Sequence, residues 1–456
     1  MQETFQVIGT ILMIIVLAYA IFKNINITMA MLSVGTVAVL ILTYVTGESM
    51  MGENTTGSLL FDCFEYVVDT AKSTISGQGL IVMSVMGYVG YMKSLKATEA
   101  FTLTLAKPFQ KSKLKFAPVA GTVIITFLLQ LVVTSNAGKA SLALAILYPV
   151  MLASGASTAT AATAIVLGQA FTYGPGCGMT YTVFSAGNID YSVPQFFLTK
   201  ELPIFIPSLI VAIVVFYFTS KYFDRKEQVS YDSSAATLSF ETLGVPKWYA
   251  ILPIIPLVFI ILFSGLFFSE TISVAAANFM GLFIVLIIML LTCKDKREVF
   301  DNTKHFFQGM AESFGAVVTV MFAATLFANA ISKVGGLTVI FSAFANAGIG
   351  IKSITIIGSL LAFAFITVSG SQPGNMALFG GLFGDIARSS GANAVDMCST
   401  LLPVGCYSMA VSPVAGSNIM VSRITGVSIT QIVKRTAIPA CCTVLTMIII
   451  SQFILV

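Results

Sequence analysis

The chain has 456 residues, of which 57% are hydrophobic and only 10% are charged. Because about 25% of the residues in a soluble globular domain are charged, this composition excludes a water-soluble protein and indicates a polytopic membrane protein. The formal net charge is only +4, and no basic stretch with interleaved aromatic residues predicts a nucleic-acid partner.

Two charge-free apolar stretches, residues 5–22 and 27–45, begin the sequence. Each is close to the roughly 20 residues that cross a 30 Å hydrocarbon core, so we predict two membrane spans. The N-terminus lacks the basic segment and cleavage site of a signal peptide, and we expect the first span to be retained. An amphipathic stretch at residues 59–75 is predicted to lie at the membrane surface. A third span is predicted over residues 80–92.

A basic segment follows the third span. It contains six lysines, Lys93, Lys96, Lys107, Lys111, Lys113 and Lys115. The positive-inside rule places such a segment in the cytoplasm. Most of the other Lys and Arg residues fall on the same side in this topology, which puts the N-terminus outside.

Polar residues 134–141, with the sequence TSNAGKAS, lie between apolar stretches at 116–133 and 142–153. The second of these stretches is too short to cross a bilayer. Non-helical backbone at membrane depth is tolerated only where protein or a water-filled cavity satisfies its polar groups. We therefore predict a re-entrant hairpin over about residues 116–153, with a binding site at its tip.

A fourth predicted span begins near Ser157 and is interrupted by the sequence YGPGCG at residues 173–178. Glycine and proline at this density cannot continue a regular helix. A fifth span, residues 202–220, leads into a polar linker at 221–247 that is predicted to be cytoplasmic. The linker separates two units, residues 1–220 and 248–456.

Landmarks of the first unit return 236 residues later in the second. Residues 135–138 (SNAG) correspond to residues 371–374 (SQPG), and Gln195 corresponds to Gln431. A single offset at landmarks that lie far apart favours a duplicated unit.

The second unit is predicted to repeat the plan of the first. Three spans come first, at residues 249–268, 272–291 and 314–331. A hairpin with short arms follows at about 354–386, then a span broken at 412–416, and Lys434 and Arg435 are expected to precede the last span. An odd number of crossings per unit would invert the second copy. We therefore predict an all-α polytopic membrane protein with two inverted repeats, each with a re-entrant hairpin and a broken transmembrane helix, which is typical of a secondary transporter.

Helix N-termini at a hairpin tip present free N–H groups and the positive end of a helix dipole, which favours a bound carboxylate. Side chains near the tips and the broken spans add hydrogen-bond donors. The residues predicted to bind the substrate are Ser135, Asn136, Gly138, Lys139, Thr180, Ser371, Gln372, Gly374, Asn375, Ser417 and Asn418. The alternative is that these small polar residues only allow the helices to pack closely.

Free carbonyl groups in broken membrane helices can coordinate Na⁺. The residues predicted to bind a coupling cation, from the tips and the broken spans, are Thr134, Ser135, Asn136, Gly174, Gly176, Ser369, Ser371, Gln372 and Ala415.

Lys139 is the one basic residue that this topology places within the membrane, where a central charge costs about 2.5 to 3.5 kcal/mol. It either pairs with an anionic substrate or extends to cytoplasmic water. The sequence contains no complete nucleophile, metal-ligand or ATP-binding motif. Neither an enzymatic activity nor a cofactor is therefore predicted, apart from Na⁺ or H⁺ as a coupling ion.

Several segments resemble those of a known family of carriers. They are residues 222–227 (YFDRKE), 249–253 (YAILP), 309–312 (GMAE), 412–416 (SPVAG) and 433–436 (VKRT). On these segments and the two tips the chain resembles the DcuC family of anaerobic C4-dicarboxylate carriers, within the ion transporter superfamily. Ser135 and Asn136 are similar to the Ser-Asn-Thr signature of that superfamily, with Ala137 in place of its threonine and Gln372 in place of the second asparagine.

This resemblance implies a function and an assembly. The function is uptake, exchange or efflux of succinate, fumarate or malate across a bacterial inner membrane, by symport or antiport with a cation gradient. The superfamily further implies a homodimer in which a hairpin-bearing domain moves as an elevator. The same fold with another organic anion or an amino-acid conjugate as cargo is the alternative.

Overall fold

The computed structural model describes residues 2–23, 25–110, 116–227, 240–264, 268, 270–336, 339, 350–370 and 372–454. Within these residues the regular secondary structure is helical, apart from an isolated bridge between Ser264 and Thr271. In the described part of the chain, eight helical segments are long and apolar enough to cross a membrane: Thr28–Thr46, Leu59–Ser94, Asn136–Ala153, Val193–Lys226, Val274–Thr292, Lys296–Val334, Ile351–Ser369 and Ile429–Ile454. The prediction of an all-α polytopic membrane protein is confirmed.

Thirteen α-helices precede residue 247 in the described part of the chain. They are α1 Gln2–Phe22, α2 Ile27–Thr46, α3 Leu59–Thr74, α4 Leu80–Ser94, α5 Ala97–Gln110, α6 Ala117–Leu129, α7 Asn136–Leu142, α8 Tyr148–Ala153, α9 Thr158–Gln169, α10 Gly178–Ala186, α11 Val193–Phe196, α12 Leu202–Glu227 and α13 Phe240–Leu243. Three π-helical segments, Ile75–Gly79, Ala143–Leu147 and Phe197–Glu201, join consecutive members of this set into continuous runs.

The second half begins with a 3-10 helix, Lys247–Ile254. The α-helices that follow are α14 Ile255–Leu262, α15 Val274–Thr292, α16 Lys296–Asn302, α17 Lys304–Ser313, α18 Thr319–Val334, α19 Ile351–Ser369, α20 Gln372–Ser390, α21 Ala394–Tyr407, α22 Gly416–Thr425 and α23 Ile429–Ile449. The π-helical segment Phe314–Val318 joins α17 to α18, and Ile450–Ile454 extends α23.

The amphipathic stretch and the third predicted span form one bent helix rather than two separate elements. Together α3 and α4 make a segment of 36 residues. Its bend lies at Gly77, whose backbone angles (φ −85°, ψ −109°) are not helical. A glycine can bend a helix without ending it because it has no Cβ to clash with the preceding turn.

Both predicted hairpins consist of two antiparallel helices. In the first, α6 is connected to the α7–α8 run by residues 130–135, here called the first tip. In the second, α19 is connected to α20 by the second tip, Gly370 and residue 371, of which only Gly370 is described. Three of the four arms are longer than the sequence suggested, since α7–α8 has 18 residues and α19 and α20 have 19 each, whereas α6 has only 13.

Two long helices are interrupted at their Gly- and Pro-containing segments. Residues 170–177, here called the first break, are non-helical between α9 and α10. Residues 411–415, the second break, separate α22 from the 3-10 turn Ser408–Ala410 that ends α21. The second tip packs against the second break, because a Cβ added to Gly370 would lie 2.9 Å from the carbonyl of Val414.

Local features recur at the offset found in the sequence. The hydroxyls of Ser192 and Ser428 both cap a helix by accepting a hydrogen bond from the amide three residues later. Gly155 and Gly391 both have a left-handed φ, of +85° and +70°. Equivalent caps and turns at one spacing support a duplicated unit, and the inverted orientation of its copies stays a prediction.

Helix packing divides the described chain into two groups. In one, α4 packs on α17 and α2 on α18; in the other, α6 packs on α9, α12 on α23 and α19 on α21. The groups meet where α18 packs against α10 and α20. Both tips and both breaks belong to the second group.

The prediction that Arg435 precedes the last span is wrong. It lies within α23 and is 1% exposed. Its Nη1 donates to Asp224 Oδ1 (2.8 Å) and to Thr160 Oγ1 (3.0 Å), which links α23 to α12 and α9. A buried arginine is tolerated here because a carboxylate accepts its charge-assisted hydrogen bond.

Candidate functional site

The two tips and the two breaks meet at a cavity of about 430 Å³. Its wall comprises residues 134–137 of the first tip and α7, Thr172 and residues 176–179 of the first break and α10, Gly370, Gln372 and Pro373 at the second tip, and Met409 and Ser417 beside the second break. Val82, Met86, Ala316 and Val317 close it from the other helix group. The volume falls within the range of 300 to 1,000 Å³ that is usual for small-molecule sites.

Four helices begin at this cavity. They are α7 at Asn136, α10 at Gly178, α20 at Gln372 and α22 at Gly416, and each has one of its first two residues in the wall. Every helix N-terminus has unpaired N–H groups and a partial positive charge of about +0.5. No Asp, Glu, Lys, Arg or His is among the described residues that line the cavity. Among the described residues that form the wall, the groups that favour an anion are therefore backbone N–H groups and neutral side-chain donors.

The two tips touch through a pair of amides. The Nδ2 of Asn136 donates to Oε1 of Gln372 at 3.1 Å, between residues that are 236 positions apart. Gln372 is also held by α21, since its Nε2 donates to the carbonyl of Cys406 at 2.8 Å. At the first tip, Ser135 caps α7 by accepting from the amide of Gly138 at 3.3 Å. The structure therefore brings the two tips into direct contact.

Two buried polar atoms at the cavity have no hydrogen-bond partner in the part of the chain that the structure describes. They are Oδ1 of Asn136 and Oγ of Ser417. Buried polar atoms in native proteins are nearly always satisfied, so both atoms indicate a place for a ligand group. The Ser417 hydroxyl can donate to a carboxylate, and both oxygens can coordinate a cation.

The predicted site residues fall into two sets. Those in the cavity wall are Thr134, Ser135, Asn136, Gly176, Gln372 and Ser417. Those that lie outside the wall are Gly138, Lys139, Gly174, Thr180, Ser369, Gly374, Asn375, Ala415 and Asn418. Ser371 lies outside the described residues.

Asn418 supports the second break instead of facing the cavity. Its Nδ2 donates to the carbonyls of Met409 (2.7 Å) and Ser412 (2.9 Å), and its Oδ1 accepts from Nε2 of Gln169 (2.8 Å). Since Gln169 is the last residue of α9, this side chain also joins the two broken helices. Asn418 is fully buried, which is consistent with a structural role behind the site.

Lys139 supports the first break in the same way. Its ammonium is 0% exposed, which excludes the predicted extension to cytoplasmic water. It donates to the carbonyls of Gln169 and Phe171, both at 2.7 Å, and to Oε1 of Gln130. All three N–H groups of the ammonium donate to protein oxygens, and none of the three accepting residues lines the cavity.

A buried acid that the sequence analysis missed lies on the other side of the first break. Glu201 is 1% exposed, and its carboxylate accepts from the backbone N–H of Gly174 (2.9 Å) and the hydroxyl of Thr180 (3.2 Å). The predicted fifth span began one residue later, so Glu201 was placed outside the membrane. In the structure it lies within the continuous helical segment Val193–Lys226. The sequence could have identified Glu201 only if the fifth span had been predicted to begin at α11 instead of at residue 202.

Protein donors already occupy several carbonyl oxygens of the first break, and cation binding at Gly174 and Gly176 stays a prediction. Besides the two carbonyls bound to Lys139, Tyr173 O accepts from Gln130 (3.1 Å), Gly174 O from the amide of Cys177 (2.9 Å) and Pro175 O from the hydroxyl of Tyr181 (2.9 Å). Oδ1 of Asn136 and Oγ of Ser417, at the cavity, have no such donor among the described residues.

Two solved membrane proteins have a similar fold. The YdaH transporter of Alcanivorax borkumensis matches with a TM-score of 0.65 over 93% of this chain and 97% of its own. MtrF of Neisseria gonorrhoeae, described in connection with a class of antimetabolite efflux pumps, matches with a TM-score of 0.56 over 92% and 94%. Both are 15% identical to this chain, which shows a shared fold. With eight candidate membrane spans among its described residues, a bundle of this fold is a multi-pass membrane protein.

The family is defined by sequence similarity. The model of the DcuC family, the C4-dicarboxylate anaerobic carriers, matches residues 5–456. The anaerobic C4-dicarboxylate transporter DcuC of Escherichia coli K12 is 28% identical over 95% of this chain and 93% of its own. The probable anaerobic C4-dicarboxylate transporter DcuC of Vibrio cholerae is 26% identical over 91% and 90%. The chain belongs to the DcuC family. Its relatives are named as transporters, which confirms the expectation that it is not an enzyme.

Proposed function

We propose that the chain is a secondary active transporter of C4-dicarboxylates such as succinate, fumarate and malate. The observation that carries this proposal is the convergence of four helix N-termini on one cavity without acidic side chains. Such a cavity attracts anions through backbone N–H groups. The names of the DcuC relatives support carboxylates as the anions.

A substrate with two carboxylates matches the division of the cavity between two tips. In the proposed complex one carboxylate accepts from the first tip, at Ser135 and the N-terminus of α7. The other accepts from the N-termini of α20 and α22, with Ser417 as a side-chain donor. Neutral donors bind a dianion without the desolvation cost of a buried charged side chain.

The coupling ion is proposed to be Na⁺ or H⁺ bound beside the substrate. The Asn136 and Ser417 oxygens would hold Na⁺, whose charge would offset part of the charge of the dianion. Binding of cation and substrate in one cavity provides the coupling that a symporter or antiporter requires.

Alternating access is proposed to follow from movement of the helix group that contains the tips and breaks. In this scheme the two repeats are inverted, and the group of α6–α12 and α19–α23 moves as an elevator against the group that contains α2, α4, α17 and α18. This division is supported by the helix packing within each group and by the contact of the groups where α18 packs against α10 and α20. We further propose a homodimer in a bacterial inner membrane, with the linker in the cytoplasm.

Uptake of labelled succinate into proteoliposomes tests the transport function. We expect saturable uptake by the parent protein, and its loss in Asn136→Ala and Gln372→Ala, while Asn302→Ala, in α16 and away from the cavity, transports normally. A competition panel of dicarboxylates, other organic anions and amino-acid conjugates identifies the cargo class. Undiminished uptake in both tip variants would refute the assignment. Inhibition of succinate uptake only by compounds that are not dicarboxylates would refute it as well.

Imposing Na⁺ and pH gradients separately on the same vesicles identifies the coupling ion. Only the gradient of the coupled ion should drive accumulation. Accumulation with neither gradient, but with unlabelled succinate inside the vesicles, would indicate obligatory exchange.

A further inference from the structure

The environment of Lys139 is that of a bound cation. Its Nζ lies 2.7 Å from the carbonyl oxygens of Gln169 and Phe171 and also contacts Oε1 of Gln130. Three acceptors require three donated hydrogens, which a protonated ammonium has and a neutral amine does not. The side chain is completely buried. The three contacts therefore fit a protonated ammonium enclosed by neutral oxygens beside the first break.

The place of this cage in the fold explains why it attracts a cation. Gln169 is the last residue of α9, and the C-terminal end of a helix has a partial negative charge of about −0.5. Gln130 completes the cage from the first tip, and its Nε2 fixes it in place by donating to Tyr173 O at 3.1 Å. Carbonyl oxygens at an unwound helix are the ligands with which membrane transporters hold Na⁺. Here the Lys139 ammonium occupies the position that Na⁺ has in such a site.

The second repeat lacks an equivalent charge. At the offset of 236 residues that relates Asn136 to Gln372, the counterpart of Lys139 is Asn375, whose Nδ2 donates to Oγ of Ser369 at 2.9 Å. Two carbonyls near the second break accept instead from the neutral amide of Asn418. At this position the first repeat has a buried lysine and the second has a buried neutral amide.

We propose that Lys139 is a resident cation that replaces an exchangeable ion at the first break. Ion binding by the transporter is then confined to the cavity side, where the oxygens of Asn136 and Ser417 lack partners among the described residues. This inference rests on the proposed function as a cation-coupled transporter. It assigns Lys139 a positioning role, since the ammonium holds the broken helix and does not touch the substrate.

The inference is tested by emptying the cage and offering small cations to it. Purified Lys139→Ala is compared with the parent and with Asn375→Ala, the matched variant in the second repeat. Thermal unfolding is followed in chlorides of methylammonium, Na⁺ or N-methylglucamine, the last of which is too large for the cage. We expect a saturable rise in Tm of a few degrees with methylammonium in Lys139→Ala only, because a ligand stabilises the state that binds it. We also expect Na⁺ to raise the Tm of Lys139→Ala more than that of the parent.

Transport provides the second readout. We expect Lys139→Ala to lose succinate uptake about tenfold or more in N-methylglucamine and to recover part of it in methylammonium. Folded Lys139→Ala with no response of Tm or uptake to either small cation would overturn the proposal. Equal methylammonium responses in the parent or in Asn375→Ala would overturn it as well.

A third variant keeps the test decisive if Lys139→Ala does not fold. Lys139→Gln retains hydrogen-bonding capacity without the charge, and transport equal to that of the parent would show that no cation is needed. If both variants are recovered folded only when purified in methylammonium, the proposal is supported; equal failure in every salt contradicts it. Absence of succinate uptake by the parent would refute the proposed function alone, because the Tm measurements need no substrate.

Discussion

Replacing Asn136 and Gln372 by alanine, singly and together, tests the contact between the two tips. Asn136 makes one hydrogen bond across the contact, and its Oδ1 has no partner in the described chain. Gln372 makes that bond and a second one to the carbonyl of Cys406. The two substitutions should therefore differ in cost, although both remove an amide.

The magnitudes follow from the hydrogen bonds lost. A neutral hydrogen bond contributes about 1 kcal/mol, and a buried polar group left without its partner costs about 1 to 3 kcal/mol. Asn136→Ala should lower the free energy of unfolding by about 1 kcal/mol. Gln372→Ala should lower it by about 2 to 4 kcal/mol, because it also removes the donor to Cys406 O. The double variant should show a coupling energy of about 1 kcal/mol.

Equilibrium unfolding titrations in detergent micelles measure all three values, with Asn302→Ala as a control that should match the parent. Succinate affinity of the same samples reports the effect on binding separately from stability. Additive effects of the two substitutions, with no coupling energy, would refute a direct contact between the tips. Equal costs for the two single variants would refute the second hydrogen bond of Gln372.

Three further predictions concern the second tip, the buried ion pair and the cavity. Gly370→Ala should cost about 1 to 3 kcal/mol of unfolding free energy, because φ is +66° and the new Cβ would lie 2.9 Å from the second break. Gly315→Ala is the control, since a Cβ there meets nothing within 4 Å. Equal costs for the two variants would contradict this reasoning. Arg435→Leu should lower the free energy of unfolding by about 3 kcal/mol, because it leaves Asp224 without this partner, and adding Asp224→Leu should restore part of that loss. A double variant no more stable than Arg435→Leu would argue against the ion pair. Ser417→Ala should change stability by less than about 0.5 kcal/mol and raise the KM for succinate about fivefold, and an unchanged KM in the uptake assay would exclude the hydroxyl from binding.

The sequence by itself determined the membrane character, the helical class and the two segments at which long helices are broken. These properties depend on local composition, since about 20 apolar residues suffice for a span and clustered glycine and proline prevent a regular helix. The constant offset of 236 residues further paired Asn136 with Gln372, which the structure shows in contact. Helix ends and arm lengths were less accurate, because the π-helical joints at Gly77 and Glu201 carry no composition that separates them from loops.

Only the tertiary structure decided which polar side chains face the cavity and which hold the backbone behind it. Lys139, Asn418 and Glu201 are all polar residues near a break, and the sequence does not show whether their partners are a ligand or a carbonyl. Those partners lie between 6 and 249 residues away in the chain, so sequence spacing does not identify them. Backbone groups released by a broken helix must be satisfied within the membrane, and the assembled fold selects which side chains do so.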